Sequence, residues 1–323
     1  MEQLPLHPAE ETERPLLLLT APQLISPVST FSIMRDVLIA LAPSLFAAVM
    51  VFGFRAALVT AVSVAACVGF EYAWCRLRKI PNTVGDLSAA VTGVLLAFNV
   101  PSTLPLYMVV IGAFVAIVLT KELFGGIGCN FANPAIVGRI VLAVSFPAAM
   151  ATFAEPGGLV APVGLVDVVS SATPLAASAE PLSWGALLLG RYAGVLGETS
   201  ALAILIGFAY LIIRRVIHWQ VPVVYVAVVM LFSLVAGRDP VSQALSGGLL
   251  LGAVFMATDY TTTPATLRGK IVFAVGCGVV TSLIRFWGNL NEGVAYSILF
   301  MNLLVPHIDA MTRNTPVGGE RRG

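Results

Sequence analysis

Two groups of residues in this chain have the types and spacing to do chemistry. The stretch VDVVSSATPL (166–175) carries Asp167, Ser170, Ser171 and Thr173 with no histidine or cysteine among them. It offers hydroxyls and one carboxylate, but no metal-ligand set. In GGIGCNFANPA (125–135), Asn130 and Asn133 each bring a hydrogen-bond donor and an acceptor. Isolated charges lie in apolar surroundings at Glu71, Lys121–Glu122, Glu198 and Asp259. Such charges are costly inside a membrane and mark candidate ion paths. Lys121 and Glu122 also read as a pair that neutralise each other, and Glu71 as a side chain solvated near the cytoplasmic face. Cys67, Cys75, Cys129 and Cys277 show no CxxC spacing, and His7, His218 and His307 are scattered. Neither a zinc site nor a four-cysteine iron–sulfur cluster follows from that pattern, and no metal site is assigned. Cys129 reads as a small packing residue.

The elements that hold these residues are set by composition. Of 323 residues, 58% are hydrophobic and 11% charged, with mean hydropathy +0.92. A soluble chain carries about 25% charged residues, so the fold class is an all-α integral membrane protein. A net charge of +1 and the lack of a basic aromatic patch give no reason to expect nucleic acid. Residues 1–30 hold acidic residues and prolines, and their LLLL run is too short for a signal peptide. They read as a cytoplasmic tail.

Ten apolar segments follow, at about 36–54, 56–75, 87–100, 105–120, 134–150, 198–213, 220–236, 244–258, 271–284 and 294–306. With the N-terminus inside, fourteen Lys and Arg fall on the cytoplasmic side and four (Arg55, Arg191, Arg238 and Arg285) on the other. That bias favours an even number of spans with both termini cytoplasmic. Several segments are too short for a hydrocarbon core of about 30 Å, which suggests broken or re-entrant helices facing a protein-lined cavity. GVLLAFNVPSTLP (93–105) aligns without gaps on GAVFMATDYTTTP (252–264), a shift of 159 residues that also sets Arg55 on Arg214 and Asn130 on Asn289. Five spans per half make any repeat an inverted one, with a site expected at the interface of the halves. The organisation predicted is a tail (1–30), a first five-helix repeat (31–150), a loop (151–197), a second five-helix repeat (198–310) and a cytoplasmic tail (311–323). Gly248 and Gly252 stand in GxxxG spacing and read as helix packing.

Five crossings from an inside N-terminus place 151–197 on the outer face. Ser, Thr and Pro belong in loops, so residues 166–175 also read as an ordinary turn.

Here the sequence resembles a known family. DVVSSAT looks like the D-x-x-[ST]-G-A-T sequence at which a flavin transferase attaches FMN through its phosphate to a threonine. DLSAAVTGVLLAFNVP (86–101), LTKELFGGIGCNFANPAIVGRI (119–140) and GETSALAILIG (197–207) resemble the family of the Rnf complex D subunit and of the B subunit of sodium-pumping NADH:quinone oxidoreductase. The likeness runs in order from about residue 20 to 310, and the short N-terminal tail fits the Rnf protein better. It implies a phosphoester-linked FMN on Thr173, with Asp167, Ser170, Ser171 and Ala172 forming the rest of the motif. Asp167 would orient the loop or a metal held by the transferase. Ser171 departs from the motif's Gly, whose freedom at φ > 0 the transferase cleft would use. Ser170 and Ser171 could chemically take the phosphoryl group, and motif position alone selects Thr173.

The resemblance implies a second, non-covalent flavin, riboflavin, near the cytoplasmic side. Asn130 and Asn133 match the alternating donors and acceptors of a flavin's pyrimidine edge. Both also read as caps of a re-entrant helix, with Asn–Pro setting its first turn. The implied role is a redox subunit of a bacterial inner-membrane complex that relays electrons through flavins, coupled to Na⁺ or H⁺ movement. Its partners would be the other Rnf subunits, the flavin transferase during maturation, and lipid. No residue is assigned a catalytic role of its own. The alternatives are a secondary transporter with inverted repeats and no flavin, and a non-redox scaffold.

Overall fold

The computed structural model describes residues 29–158, 170–171 (backbone only), 183–198, 200–288 and 292–313. Among them, helices dominate. The first is α1 (Thr30–Phe52), opened by a capping box in which Ser29 and Ser32 exchange side-chain-to-backbone hydrogen bonds. It is followed by α2 (Phe54–Arg78), α3 (Ser88–Phe98) and α4 (Leu106–Phe114). Helix α4 runs on through a π-helical stretch (Val115–Lys121) and a 3₁₀ turn (Glu122–Phe124). Helices α5 (Pro134–Ser145) and α6 (Pro147–Met150) close the first half.

A two-residue antiparallel ladder then pairs β1 (Phe153–Ala154) with β2 (Ser170–Ser171), setting Phe153 opposite Ser171 and Ala154 opposite Ser170. The second half holds α7 (Trp184–Leu189), α8 (Ala201–Ile213), α9 (Gln220–Val235) and α10 (Pro240–Leu245). Next come α11 (Leu249–Leu251), which continues as a π-helical stretch (Gly252–Met256), then α12 (Leu267–Trp287) and α13 (Val294–Thr312).

Each of the ten apolar segments is occupied by helix, but not by ten membrane-length helices. Among the described residues, five helices are long and apolar enough to cross a membrane: α1, α2, the continuous Leu106–Phe124, α12 and α13. At 1.5 Å per residue, 23-residue α1 reaches about 35 Å and 11-residue α3 about 16 Å. Shifting the first half by 159 residues carries α3 onto 247–257, close to α11 with its π-helical extension (249–256), and moves the start of α5 to 293, against 294 for α13. Arg55 and Arg214, identical at that shift, have no shared role. Arg55 donates to the carbonyls of Ser102 (3.2 Å) and Leu104 (3.1 Å), Arg214 pairs with Asp36 at 3.0 Å, and Asn289 lies outside the described residues.

The outer helices are apolar on both faces, as lipid requires. Phe46 and Phe54 of the first half, and Ile213, Leu234 and Val235 of the second, are exposed. The interior mixes the halves: Leu95, Phe98 and Ile136 pack in one core with Phe255, Val294 and Ile298. Helix association in lipid depends on close approach, and glycine supplies it. A Cβ on Gly252 would meet Val294 Cγ1 at 2.4 Å, as its GxxxG spacing suggests. Gly248 serves a different end, described below.

Candidate functional site

Two polar sites sit where the short helices end. The first surrounds the loop 125–133. Gly125, Gly126 and Gly128 adopt φ of +119°, +88° and +90°, so this turn needs glycine at all three. The loop leads into α5, whose first turn is set by Pro134 and capped by Asn133, with Oδ1 accepting from the Ala135 (3.1 Å) and Ile136 (3.4 Å) N–H groups. Asn130 does not cap. Its amide donates to the Ala132 carbonyl (3.0 Å) and across the molecule to Thr261 Oγ1 (3.1 Å). The capping reading therefore holds for one asparagine, and the other ties the halves together.

Both asparagines line a cleft of about 880 Å³, counting the space out to its mouth. Its walls are mostly apolar, from Val37 of α1, Leu95 of α3 and Phe255 of the second half, and its polar groups include Ser88, Lys121, Asp259 and Thr261. Asp259 is held by Thr261, through N–H (3.3 Å) and Oγ1 (3.1 Å), and by Thr262 Oγ1 (3.3 Å).

Lys121 enters this cleft as the centre of a buried chain. Its ammonium donates to Glu71 Oε2 and to Ser88 Oγ, both at 2.6 Å, and lies 3.6 Å from Glu122 Oε1. Thr83 donates to the other Glu71 oxygen at 2.6 Å, and Ser88 donates to Asp86 at 2.5 Å. Here the expected Lys121–Glu122 pair is present but extended, and the readings of Glu71 and Cys129 are corrected. Glu71 is fully buried rather than solvated, and the nearest partner of Lys121 is Glu71, fifty residues away, rather than its neighbour Glu122. Cys129 is exposed, so it is not a packing residue.

The second site lies at the junction of the halves. Residues 196–198 run beside the end of α3, with Leu196 N–H donating to the Val100 carbonyl (3.2 Å) and Gly197 N–H to that of Phe98 (2.9 Å). This pairing sets Glu198 near Asn99. Arg139 of α5 donates to Asn99 Oδ1 at 2.9 Å and forms an ion pair with Glu292, whose Oε1 also accepts from Gly248 N–H at 3.2 Å. Arg285 of α12 donates to the carbonyls of Gln243 (2.8 Å) and Ser246 (3.3 Å), satisfying backbone that α10 leaves free where it breaks. Tyr192 donates to the Glu198 carbonyl at 2.7 Å.

Of this group, only Glu198 stands out in the sequence. Arg139 and Arg285 count there as flanking charges, yet both are buried, as is Lys121. Without these three the bias becomes twelve against three, and its direction stands. A lone Arg five residues into an apolar helix is the signal that could have found Arg139, because a buried guanidinium requires an acceptor.

Of the remaining sequence-predicted residues, Asp167, Ala172 and Thr173 lie outside the described residues. Ser170 and Ser171 form β2, which ends two residues before Thr173.

The chain as a whole is similar to known proteins. Over 306 residues the chain is 42% identical to the D subunit of the Na⁺-translocating ferredoxin:NAD⁺ oxidoreductase complex of Acetobacterium woodii, covering 93% of this chain and 94% of that one. It is 39% identical to the D subunit of the proton-translocating ferredoxin:NAD⁺ oxidoreductase complex of Clostridium ljungdahlii, with 91% and 93% covered. To the D subunit of the ion-translocating oxidoreductase complex of Halorhodospira halophila it is 36% identical, with 95% and 96% covered. With its five membrane-length helices, this is a multi-pass membrane protein. The match to the family runs through both polar sites, from residue 18 to residue 318, and the chain therefore belongs to the NQR2, RnfD, RnfE family.

Proposed function

We propose that this chain is the membrane subunit of an ion-translocating ferredoxin:NAD⁺ oxidoreductase complex, working beside the other subunits of that complex in a bacterial cytoplasmic membrane. The observation that carries this reading is the agreement with D subunits over nine-tenths of both chains. In it, Thr173 holds FMN as a phosphoester placed by a flavin transferase, and the cleft at Asn130 and Asn133 holds riboflavin.

Thr173 lies outside the described residues, and its hydroxyl is the group that a phosphoester to FMN needs. At the cleft, Asn130 Oδ1 and Asn133 Nδ2 have no hydrogen-bond partner among the described residues, while their other amide atoms are engaged. That leaves one acceptor and one donor for a ligand edge, between apolar walls suited to a flat ring. Bound flavins supply one- and two-electron chemistry; the protein's part is to hold, orient and shield them.

The same reading takes the fold as ten spans in two inverted five-helix halves with both termini cytoplasmic. The matching element bounds at a shift of 159 residues and the Lys/Arg bias support it.

Ultraviolet illumination of a denaturing gel tests the covalent flavin. With the transferase present, the wild-type band fluoresces and Thr173→Ala goes dark at unchanged abundance. Thr173→Ser retains partial loading. A dark wild type overturns the redox reading; a fluorescent Thr173→Ala with a dark Ser170→Ala or Ser171→Ala moves the acceptor.

A further inference from the structure

Glu198 is a buried acid to which neither flavin site gives a task. Its residue is 2% exposed, and its Oε2 has no hydrogen-bond partner among the described residues. A buried carboxylate with an orphaned oxygen is costly unless something satisfies it. What lies beside that oxygen is set by Gly248. A Cβ built there would stand 3.6 Å from Arg139 Nη1, 3.7 Å from Glu198 Oε2 and 3.9 Å from Glu292 Oε1. Three charged atoms from three parts of the chain converge on one point, which glycine keeps free of side chain. A water just beyond that point, clear of the Gly248 Cα, would have these three polar neighbours, the number a buried bridging water typically bonds.

We propose that a water held beside Gly248 carries a proton between Glu198 and Glu292. The Glu198 carboxyl gives its proton to the water, which passes one of its own to Glu292. One O–H bond breaks at Glu198 and one forms at Glu292, the water loses and gains one, and the cluster's total charge is unchanged. Arg139 makes this exchange cheap, since it is paired with Glu292 and also faces Glu198, so the ionised carboxylate keeps a guanidinium beside it in either state. The other charged and titratable groups facing the pair are Arg285 from α12, Tyr192 from the 191–198 segment and Tyr296 from α13. Two guanidiniums disfavour a metal cation at this point and leave a proton as the ion that fits.

The exchange has a direction in space. Glu198 is enclosed, whereas the Glu292 side chain is 21% exposed and, with Arg139 and Tyr296, lines a cleft of about 950 Å³ counting its mouth. A proton released from Glu198 therefore arrives at an open surface. The step deepens the ion-translocating reading, and rests on it for its place in turnover.

The test is infrared spectroscopy of the purified complex, followed through H₂O-to-D₂O exchange, with flavin loading scored separately by gel fluorescence. The wild type is expected to show a protonated-carboxyl stretch near neutral pH that is lost in Glu198→Gln. Gly248→Ala, whose methyl meets only ordinary contacts, should keep the band but slow its exchange about tenfold. Glu292→Gln should do the same, and it serves as the second probe if Glu198→Gln does not fold. A wild-type-minus-Glu198→Gln difference with no carboxyl band overturns the proposal. So does exchange at the wild-type rate in both Gly248→Ala and Glu292→Gln. Flavin fluorescence that survives either failure leaves the redox reading intact.

Discussion

Lys121 shows what a single residue does in this interior. It neutralises Glu71 at 2.6 Å and lies near Glu122, so removing it leaves two buried acids with no cation among their described contacts. Breaking a buried pair from one side costs about 3–5 kcal/mol, whereas replacing both partners with fitting apolar or neutral groups costs much less. Lys121→Met should accordingly lower the thermal midpoint of the detergent-solubilised protein markedly, and adding Glu71→Gln should restore part of it. Asn133 needs a subtler change, since its side chain caps α5 as well as lining the cleft. Asn133→Ser keeps a capping oxygen and removes the amide. Combined with Asn130→Leu it should reduce extractable riboflavin while gel fluorescence persists, and unchanged riboflavin in a folded double variant would refute that assignment. Asn130, Asn133, Glu198 and Lys121 are visible in the sequence because polar types stand out in apolar surroundings. That Lys121 reaches Glu71, or that Arg139 turns inward, is not, because those pairings depend on which helices become neighbours.

Among the elements, the short helices carry the polar groups and the long ones wall them off. Segments too short to span are legible from their Pro and Gly punctuation, and α3 and α5 start within one residue of where that punctuation predicts, whereas the break between α10 and α11 falls inside the segment read as 244–258. The glycine contacts are legible only in part. GxxxG spacing points to Gly248 and Gly252, but a tighter backbone contact is at Gly207 of α8, where a Cβ would lie 2.3 Å from the Ala40 carbonyl oxygen of α1. No repeat spacing marks it, since its partner is a carbonyl on a helix far off in sequence. The obstacle is backbone, so it cannot rotate away. Gly207→Ala should force α8 off α1 and destabilise by about 1–3 kcal/mol, the range for overpacking. A thermal shift checks this, and Gly185→Ala, which meets nothing within 4 Å, is the control.

For the whole molecule, the two halves are joined by polar contacts rather than merely packed. Asn130 reaches Thr261, Asp36 binds Arg214 and Tyr210, and Arg139 binds Glu292. Each links a residue before 140 to one after 200, so the halves form one body around two clefts. The membrane topology proposed for that body has a direct check. Reporter fusions at residues 165 and 265 should lie on opposite sides of the membrane, and signals from the same side would exclude ten spans with this orientation.

The small ladder between β1 and β2 has a consequence for reach. It fixes Ser171 opposite Phe153, which lines the cleft of Arg139 and Glu292. Covalent geometry then allows Thr173 no more than about 7 Å from that anchor, whatever path the chain takes. Any group carried on Thr173 is thus leashed to one rim of the molecule. Within that reach a short tether gives an attached group a millimolar effective concentration, without any affinity of its own for the surface.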